Sequence, residues 1–464
     1  MAMIVEAGEN IRIRDYTEQM SAELERLLTF DNPEYYKRLN MGKWVGKTPQ
    51  KITLIQRDGT DLIVPFGMLP WIFRHRNEFE AVRGDFKALS GFEYHSTIKP
   101  YAYQEKAIQA ALKARQGVVV APCGSGKTQI GLEIAARLGG KTLWLTHTHD
   151  LLTQSMERAK SLFGLQGKDY GTITGGKIDI GRVITFATVQ TMVNIDLAAI
   201  KDCFDVVIVD ECHHAVGTPT RIMMFSKVVS SLKARYKYGL TATPKRADGL
   251  IRCMFALIGE KVYEVEASDV SERVCPVTVE FKKTEYKPDL DKILMPDGTL
   301  SHVAFINELV KNEDRNKLIV DDVCAFNGTC LVLTDRVAHI QMLKRMLEDR
   351  GVGVCALSAA TGKQAKRDRE GAIRALNNRE VKVLIATYAL AREGLDIPSL
   401  NLLVMATPQK NDVTVTQSAG RVARKAEDKA CGVVYDYIDD FAMLGAWQKK
   451  RLRIYKRLGF SIVE

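Results

Sequence analysis

Ala121-Pro122-Cys123-Gly124-Ser125-Gly126-Lys127-Thr128 is the stretch of this chain best equipped to meet phosphates. Glycines let successive backbone N–H groups close around phosphate oxygens, and a following helix adds its positive N-terminus. Lys127 supplies a point charge, and the Thr128 hydroxyl is a ligand for Mg²⁺. Ala121 stands where such loops usually begin with glycine, so the chemistry rests on Gly124, Ser125, Gly126, Lys127 and Thr128. Downstream, Val206-Val207-Ile208-Val209-Asp210-Glu211 is an apolar run ending in two carboxylates. Mg²⁺ keeps several waters, so Asp210 alone can hold it, directly or through water. Glu211 is then the group to polarise an attacking water. Arg421 and Arg424, three apart in a stretch that reads as a helix, project from one face. Such guanidiniums suit a γ-phosphate whose charge spreads during transfer.

These groups need strands to end on and helices to start from. Strands are expected at 117–121, 141–146, 182–187, 204–210 and 236–241, with helices such as 128–138 and 150–163 between them. A second series is expected at 330–334, 353–357, 381–386, 402–406 and 432–437. Runs apolar throughout, alternating with amphipathic helices, predict α/β architecture with parallel sheets covered on both faces. Only the first series holds a phosphate loop, so nucleotide is expected there, completed by the second domain across a cleft. The expected organisation is a small α+β accessory domain at 1–90, a nucleotide-binding domain at 91–258, a connecting region at 259–310 and a second α/β domain at 311–464. The connector has turn signals at Lys287-Pro288-Asp289 and Met295-Pro296-Asp297-Gly298. Within 1–90, residues 52–64 read as a hairpin, preceded by an acidic amphipathic helix at 21–29.

Composition sets the outer limits. The 464 residues are 46% hydrophobic and 26% charged, as in soluble globular proteins, and hold no apolar stretch of membrane-span length. An N-terminus that meets Glu6 so early is not read as a secretory signal. A net charge of +10 favours a polyanionic partner. Lys449, Lys450, Arg451, Arg453, Lys456 and Arg457 crowd the last helical stretch, which reads either as a solvated face or as a phosphate contact. The nine cysteines include no C-x-x-C pair and fall mostly in apolar runs, the usage of a reduced intracellular protein. Cys212-His213-His214 does not make a zinc site, because neighbours on one strand end do not converge on an ion.

Asp210-Glu211-Cys212-His213 resembles the second motif of superfamily 2 helicases and translocases, and other elements follow in that family's order between about 90 and 440. Tyr103-Gln104 resembles the adenine-reading glutamine element. Thr174-Gly175-Gly176 and Thr188-Val189-Gln190 resemble strand-gripping elements, and Thr241-Ala242-Thr243-Pro244 the coupling motif. Ala386-Thr387 through Arg392-Glu393-Gly394-Leu395-Asp396-Ile397-Pro398 is similar to the fifth motif, and Gln417-Ser418-Ala419-Gly420-Arg421-Val422-Ala423-Arg424 to the sixth. Thr146-His147-Thr148 departs from the family, which usually has Pro-Thr there.

The resemblance implies two tandem RecA-like domains, with ATP and Mg²⁺ as cofactors. It places Gln104, Gly394 and Asp396 near the nucleotide, and gives Lys127, Asp210, Glu211, Gln417, Arg421 and Arg424 roles in hydrolysis. Thr128 and Asp210 are implied as the Mg²⁺ ligands. His213, Thr241 and Thr243 are implied to couple hydrolysis to movement. Thr148, Thr174, Gly175, Thr188, Arg246 and Thr387 are implied to grip nucleic-acid backbone without reading sequence. Thr243-Pro244-Lys245-Arg246-Ala247-Asp248-Gly249 resembles the DNA-directed branch of XPB-like and phage UvsW-like helicases. That branch implies a monomer without membrane partners, moving 3′→5′ on single-stranded, forked or branched DNA in replication, recombination and repair. Its setting would be cytoplasmic, in a bacterial host if phage-encoded. Two alternatives stay open: an RNA helicase, since Asp-Glu-x-His occurs there too, and an ATP-gated clamp that binds junctions without parting strands.

Overall fold

The structure is a computed structural model that describes residues 3–122, 124–242, 249–266, 268–270, 274–295, 298–358, 363–392, 395, 397–426 and 429–463. The chain divides into two compact units, Met1–Val265 and Glu266–Glu464, each built on a parallel sheet. The fold is α/β with two RecA-like units.

In the first unit, Gly117–Val120, Thr142–Thr146, Ile184–Thr188 and Val206–Val209 are buried at every residue. A strand with apolar side chains on both faces is stable only when both faces are covered, which is why these short runs form the middle of a sheet. The order is Lys177–Ile178, Tyr170–Thr174, Ile184–Thr188, Thr142–Thr146, Val206–Val209, Tyr236–Thr241, Gly117–Val120, Lys261–Glu264. All pairings are parallel except Lys177–Ile178, which returns antiparallel from Tyr170–Thr174 through Gly175 and Gly176. Both glycines have positive φ, 57° and 80°, so that tight reversal needs them. Register pairs Thr146 with Thr188, Leu145 with Val209, and Thr241 with Val120, so the carboxyl ends of five strands meet at one edge of the sheet. Open parallel sheets bind their ligands at that edge.

The N-terminal stretch forms a five-stranded sheet in the order Gln56–Asp58, Asp61–Val64, Ile11–Arg14, Ile4–Ala7, Ala81–Gly84. A hairpin is present, but between Gln56–Asp58 and Asp61–Val64; Lys51–Thr53 instead pairs with Thr29–Asp31. The amphipathic helix runs Glu18–Leu28, capped by the Thr17 side chain. This stretch shares one apolar core with the larger sheet. The short turn Phe66–Met68 rests on the helix Ile251–Ile258, so closely that a Cβ on Gly67 would lie 2.4 Å from the Ala256 carbonyl oxygen. Buried Lys237 donates to the carbonyls of Glu9 and Val229, each at 2.9 Å, tying the two sheets together.

The second unit has seven parallel strands in the order Val354–Leu357, Val383–Thr387, Cys330–Thr334, Leu402–Met405, Gly432–Ile438, Val277–Lys283, Ser461–Val463. Val277–Lys283 lies in the stretch expected to be an irregular connector. Buried Val277 and Val279 alternate there with charged Glu280, Lys282 and Lys283, a pattern that conceals a strand next to a sheet edge. Two ion pairs lie in its interior, Arg315–Asp439 and Arg451–Asp436, each at 2.7 Å.

Candidate functional site

The loop after Gly117–Val120 explains how alanine is tolerated at its start. Gly124 and Gly126 have φ of 86° and 77°, where a Cβ is strained, whereas Ala121 does not adopt positive φ. The Ala121 N–H donates to the Thr241 carbonyl at 2.9 Å, as part of the adjoining strand pair. Ser125 turns the loop by donating from N–H and hydroxyl to the Pro122 carbonyl, at 3.2 and 2.7 Å. Lys127 and Thr128 then open the helix Lys127–Leu138.

Gln104 is 2% exposed and braces this loop from behind. Its Nε2 donates to the Ser125 carbonyl at 2.8 Å, and its Oε1 accepts from the Tyr101 N–H at 3.0 Å. A Cβ on Gly126 would come within 2.5 Å of that Nε2. The amide expected to read adenine is here enclosed as a strut for the phosphate loop.

Asp210 and Glu211 follow the strand Val206–Val209, in register beside Thr142–Thr146. Glu211 has φ +48°, a left-handed conformation that costs a non-glycine residue about 1–2 kcal/mol. It leads into the 3₁₀ turn Cys212–Val216, and the Glu211 side chain meets Lys127. Lys127 Nζ lies 3.4 Å from Glu211 Oε1, and His213 Nδ1 lies 3.3 Å from Oε2. The same Nδ1 is hydrogen-bonded to the Thr241 hydroxyl at 2.9 Å, so one imidazole joins the acid to the next strand end. Burial pushes the Glu211 carboxyl up, but Lys127 and His213 outweigh it and hold the group ionised below its usual range. Burial and the neighbouring Glu211 charge push Asp210 up instead. Two adjacent carboxylates thus sit in environments that separate their proton affinities, an arrangement common at reactive centres. Oε2 of Glu211 is buried, and His213 Nδ1, its neighbour at 3.3 Å, is not aligned to hydrogen-bond it. Cys212 turns away from the cluster, its Sγ 3.2 Å from the Met254 sulfur in the core. Among the described residues no group of three or more His, Cys, Asp or Glu is placed to hold a metal.

A cavity of about 500 Å³ opens on the same sheet edge, lined by His147, Thr148, Gly175, Thr188, Gln190 and Asn194 among others, with no acidic residue. Thr148 caps the helix His149–Phe163, so that helix presents its N-terminus here. Hydroxyls, amides and a helix N-terminus suit a phosphodiester backbone, and Asp150 in the first turn of that helix is not part of the lining. Sheet register thus gathers Thr148, Gly175 and Thr188 from three separate segments, while Thr174 is on the strand beside them and does not line the cavity. Gln190, Asn194 and His147 complete the wall. Gln190 belongs to a motif visible in the sequence; Asn194 has no sequence signal.

Residues 97–246 match the family model described as type III restriction enzyme, res subunit, and residues 311–426 match the helicase conserved C-terminal domain. The chain belongs to the superfamily 2 helicases. It is 26% identical to the DNA 3′-5′ translocase XPB2 of Sulfurisphaera tokodaii, over 71% of this chain and 79% of that one. To the ATP-dependent DNA helicase uvsW of Enterobacteria phage T4 it is 24% identical, over 93% of this chain and 89% of the other. A relative from Sulfolobus islandicus filamentous virus is 28% identical over 69% of the chain, which spans 60% of that relative's length. Saccharomyces cerevisiae Dbp5, solved bound to RNA and ADP BeF3, shares the fold with a TM-score of 0.55 at 16% identity, covering 86% of this chain and 94% of Dbp5.

The stretch that resembles the sixth motif lies in the second unit, on and just after the helix Asp412–Val422. That helix ends before Arg424, which forms an isolated antiparallel bridge with Val274. Arg421 and Arg424 therefore do not share a helix face, because the helix stops between them. Arg421 is buried and donates to the carbonyls of Ala391 and Leu395, in the stretch that resembles the fifth motif. Gln417 is buried one turn earlier on the same helix. Thr387 ends the strand Val383–Thr387, where its hydroxyl accepts from the Leu390 N–H at 3.3 Å and caps the next helix. Thr243, Arg246, Gly394 and Asp396 lie outside the described residues. The basic helix Ala442–Arg457 is not one uniform face. Arg451 is buried on Asp436 and Lys450 pairs with Asp412 at 2.7 Å, leaving Lys449, Arg453, Lys456 and Arg457 exposed.

Proposed function

We propose that this helicase hydrolyses ATP at the Lys127–Glu211 cluster and uses it to move 3′→5′ along DNA, unwinding or remodelling forked and branched substrates by fork regression and branch migration. The observation that carries this reading is the continuity of Lys127, Glu211, His213 and Thr241 along one sheet edge that also bears the acid-free cavity. A nucleotide group and a backbone grip on the same rigid edge are what a motor needs in its first unit. Likeness to XPB2 and uvsW supports DNA, and likeness to XPB2 supports the 3′→5′ direction.

In this reading Gly124, Ser125, Gly126 and Lys127 hold the phosphates and Glu211 orients the attacking water. The Thr128 hydroxyl and the Asp210 carboxylate are hard oxygen donors that fit Mg²⁺, which when bound neutralises phosphate charge. Thr148, Gly175 and Thr188 hold strand backbone, a role extended to Thr174, Arg246 and Thr387. The protein acts as a monomer.

Strand displacement on DNA forks with 3′ or 5′ single-stranded arms, beside matched RNA forks, tests the reading. ATP-dependent displacement on DNA forks that load through a 3′ arm is the expected result. Equal action on RNA, reversed polarity, or ATP hydrolysis without displacement would overturn it.

A further inference from the structure

Three histidines form a column between the hydrolytic cluster and the cavity. His213 and His214 have ring centroids 4.1 Å apart at 38°, and His214 stacks on His147 at 3.8 Å and 23°. One end of the column is His213, against Glu211 and Thr241; the other is His147, in the cavity wall beside Thr148. The contact exists because Thr142–Thr146 and Val206–Val209 are neighbours in register, so both strands end at the same level and turn their next residues toward each other. Burial, then the neighbouring His213 and His147, drive the His214 imidazole well below its usual range, so it stacks uncharged.

We propose that His147 and His214 are positioning residues that transmit occupancy of the strand cavity to Glu211. Packed rings have few free positions, and an interior at crystal-like density passes small displacements on rather than absorbing them. A nucleic-acid backbone against Thr148 fixes His147, His147 fixes His214, and His214 fixes the ring that holds Glu211 against Lys127. The column lies wholly in the first unit. The inference rests on the proposed nucleic-acid function, because it assigns the cavity to a strand.

The experiment is steady-state ATP hydrolysis by the full chain without DNA and across a titration of single-stranded DNA, for wild type, His147→Ala, His147→Phe and His214→Ala. For both alanine variants the ratio of saturated to DNA-free rate should fall at least about fivefold, the lower end of ordinary coupling between sites. The DNA concentration giving half-stimulation should change less than the ratio does. His147→Phe, which keeps a flat ring in the stack, should recover most of the ratio. A His147→Ala enzyme that reaches the wild-type ratio and only needs more DNA would overturn the proposal, leaving His147 a simple contact. An equally low ratio in His147→Phe would also overturn the ring-stacking account. If wild type itself ignores DNA, the nucleic-acid function fails first, an outcome distinct from loss of stimulation in the variants alone.

Discussion

Asp210 and Glu211 in the first unit and Asp436 and Asp439 in the second are all acids held in or beside parallel sheets, yet their surroundings differ in kind. Asp439 accepts from Arg315 Nε and NH2 at 2.7 and 3.2 Å and from the Thr284 hydroxyl at 2.6 Å. Asp436 accepts from Arg451 Nε at 2.7 Å and from the Tyr455 hydroxyl at 2.9 Å. Neither acid has a buried oxygen left without a hydrogen bond, and neither has a positive φ. Glu211 keeps a buried oxygen without a hydrogen bond, lies 3.4 Å from its lysine, and sits on a left-handed backbone. Burial of charge is common to both places, so burial does not distinguish them. Incomplete satisfaction together with strain does, because that combination costs stability and persists where chemistry needs it.

The comparison is broken most forcefully at the first cluster. Glu211→Gln should lower ATP turnover by about 10²–10⁴-fold, the range for loss of a positioned proton-transfer group, and Lys127→Ala by about 10²–10³-fold, the range for loss of one preorganised charge-stabilising donor. Glu211→Gln should still bind DNA in an ATP-dependent way. Normal hydrolysis by either variant would remove these residues from the active cluster.

The opposite profile is expected in the second unit. Arg315→Ala leaves Asp439 buried without its main partner, and loss of one member of such a pair costs about 3–5 kcal/mol. Chemical denaturation should show that loss, while nucleotide binding by the first unit under native conditions persists. Unchanged stability would show that the pair is not structural.

A smaller effect is read through pH at Lys237. Burial lowers its pKa to about 7 from the ordinary 10.5. Between those values the unfolded chain binds a proton that the folded chain does not, so stability rises with pH by about 1.4 kcal/mol per unit from this group. Lys237→Met should lose that component of the slope between pH 7 and 10.5. Parallel slopes for variant and wild type would contradict the buried, neutral amine.

The smallest effect belongs to the C-terminal helix. Replacing exposed Lys449, Arg453, Lys456 and Arg457 by glutamine should flatten the salt dependence of DNA binding. The log–log slope should fall by up to about one unit for each phosphate that these cations neutralise. An unaltered slope would make that face solvated only.

Runs that are apolar at every position were legible in the sequence. Cys330–Thr334 and Val206–Val209 lie within the bounds expected, and the fold class follows from such strands. Strands that alternate apolar with charged residues, such as Val277–Lys283, were concealed because their pattern matches an exposed connector. Spacing also mispaired residues 52–55, since the partner of Ile52 is Phe30, far earlier in the chain. At the site, the phosphate loop and the two acids are local spellings and were visible. The termination of the helix before Arg424, the enclosure of Gln104 and the burial of Arg451 depend on what packs against them. The histidine column was invisible for the same reason, because His147 meets His214 only through strands adjacent in the sheet.

The most direct test is the ATP hydrolysis rate of the full chain without nucleic acid and with single-stranded, duplex, forked and four-way DNA, beside matched RNA. A motor whose hydrolytic cluster shares an edge with a strand grip should be stimulated by DNA, most by forked or branched forms, and less by RNA. A rate indifferent to every nucleic acid would contradict the account.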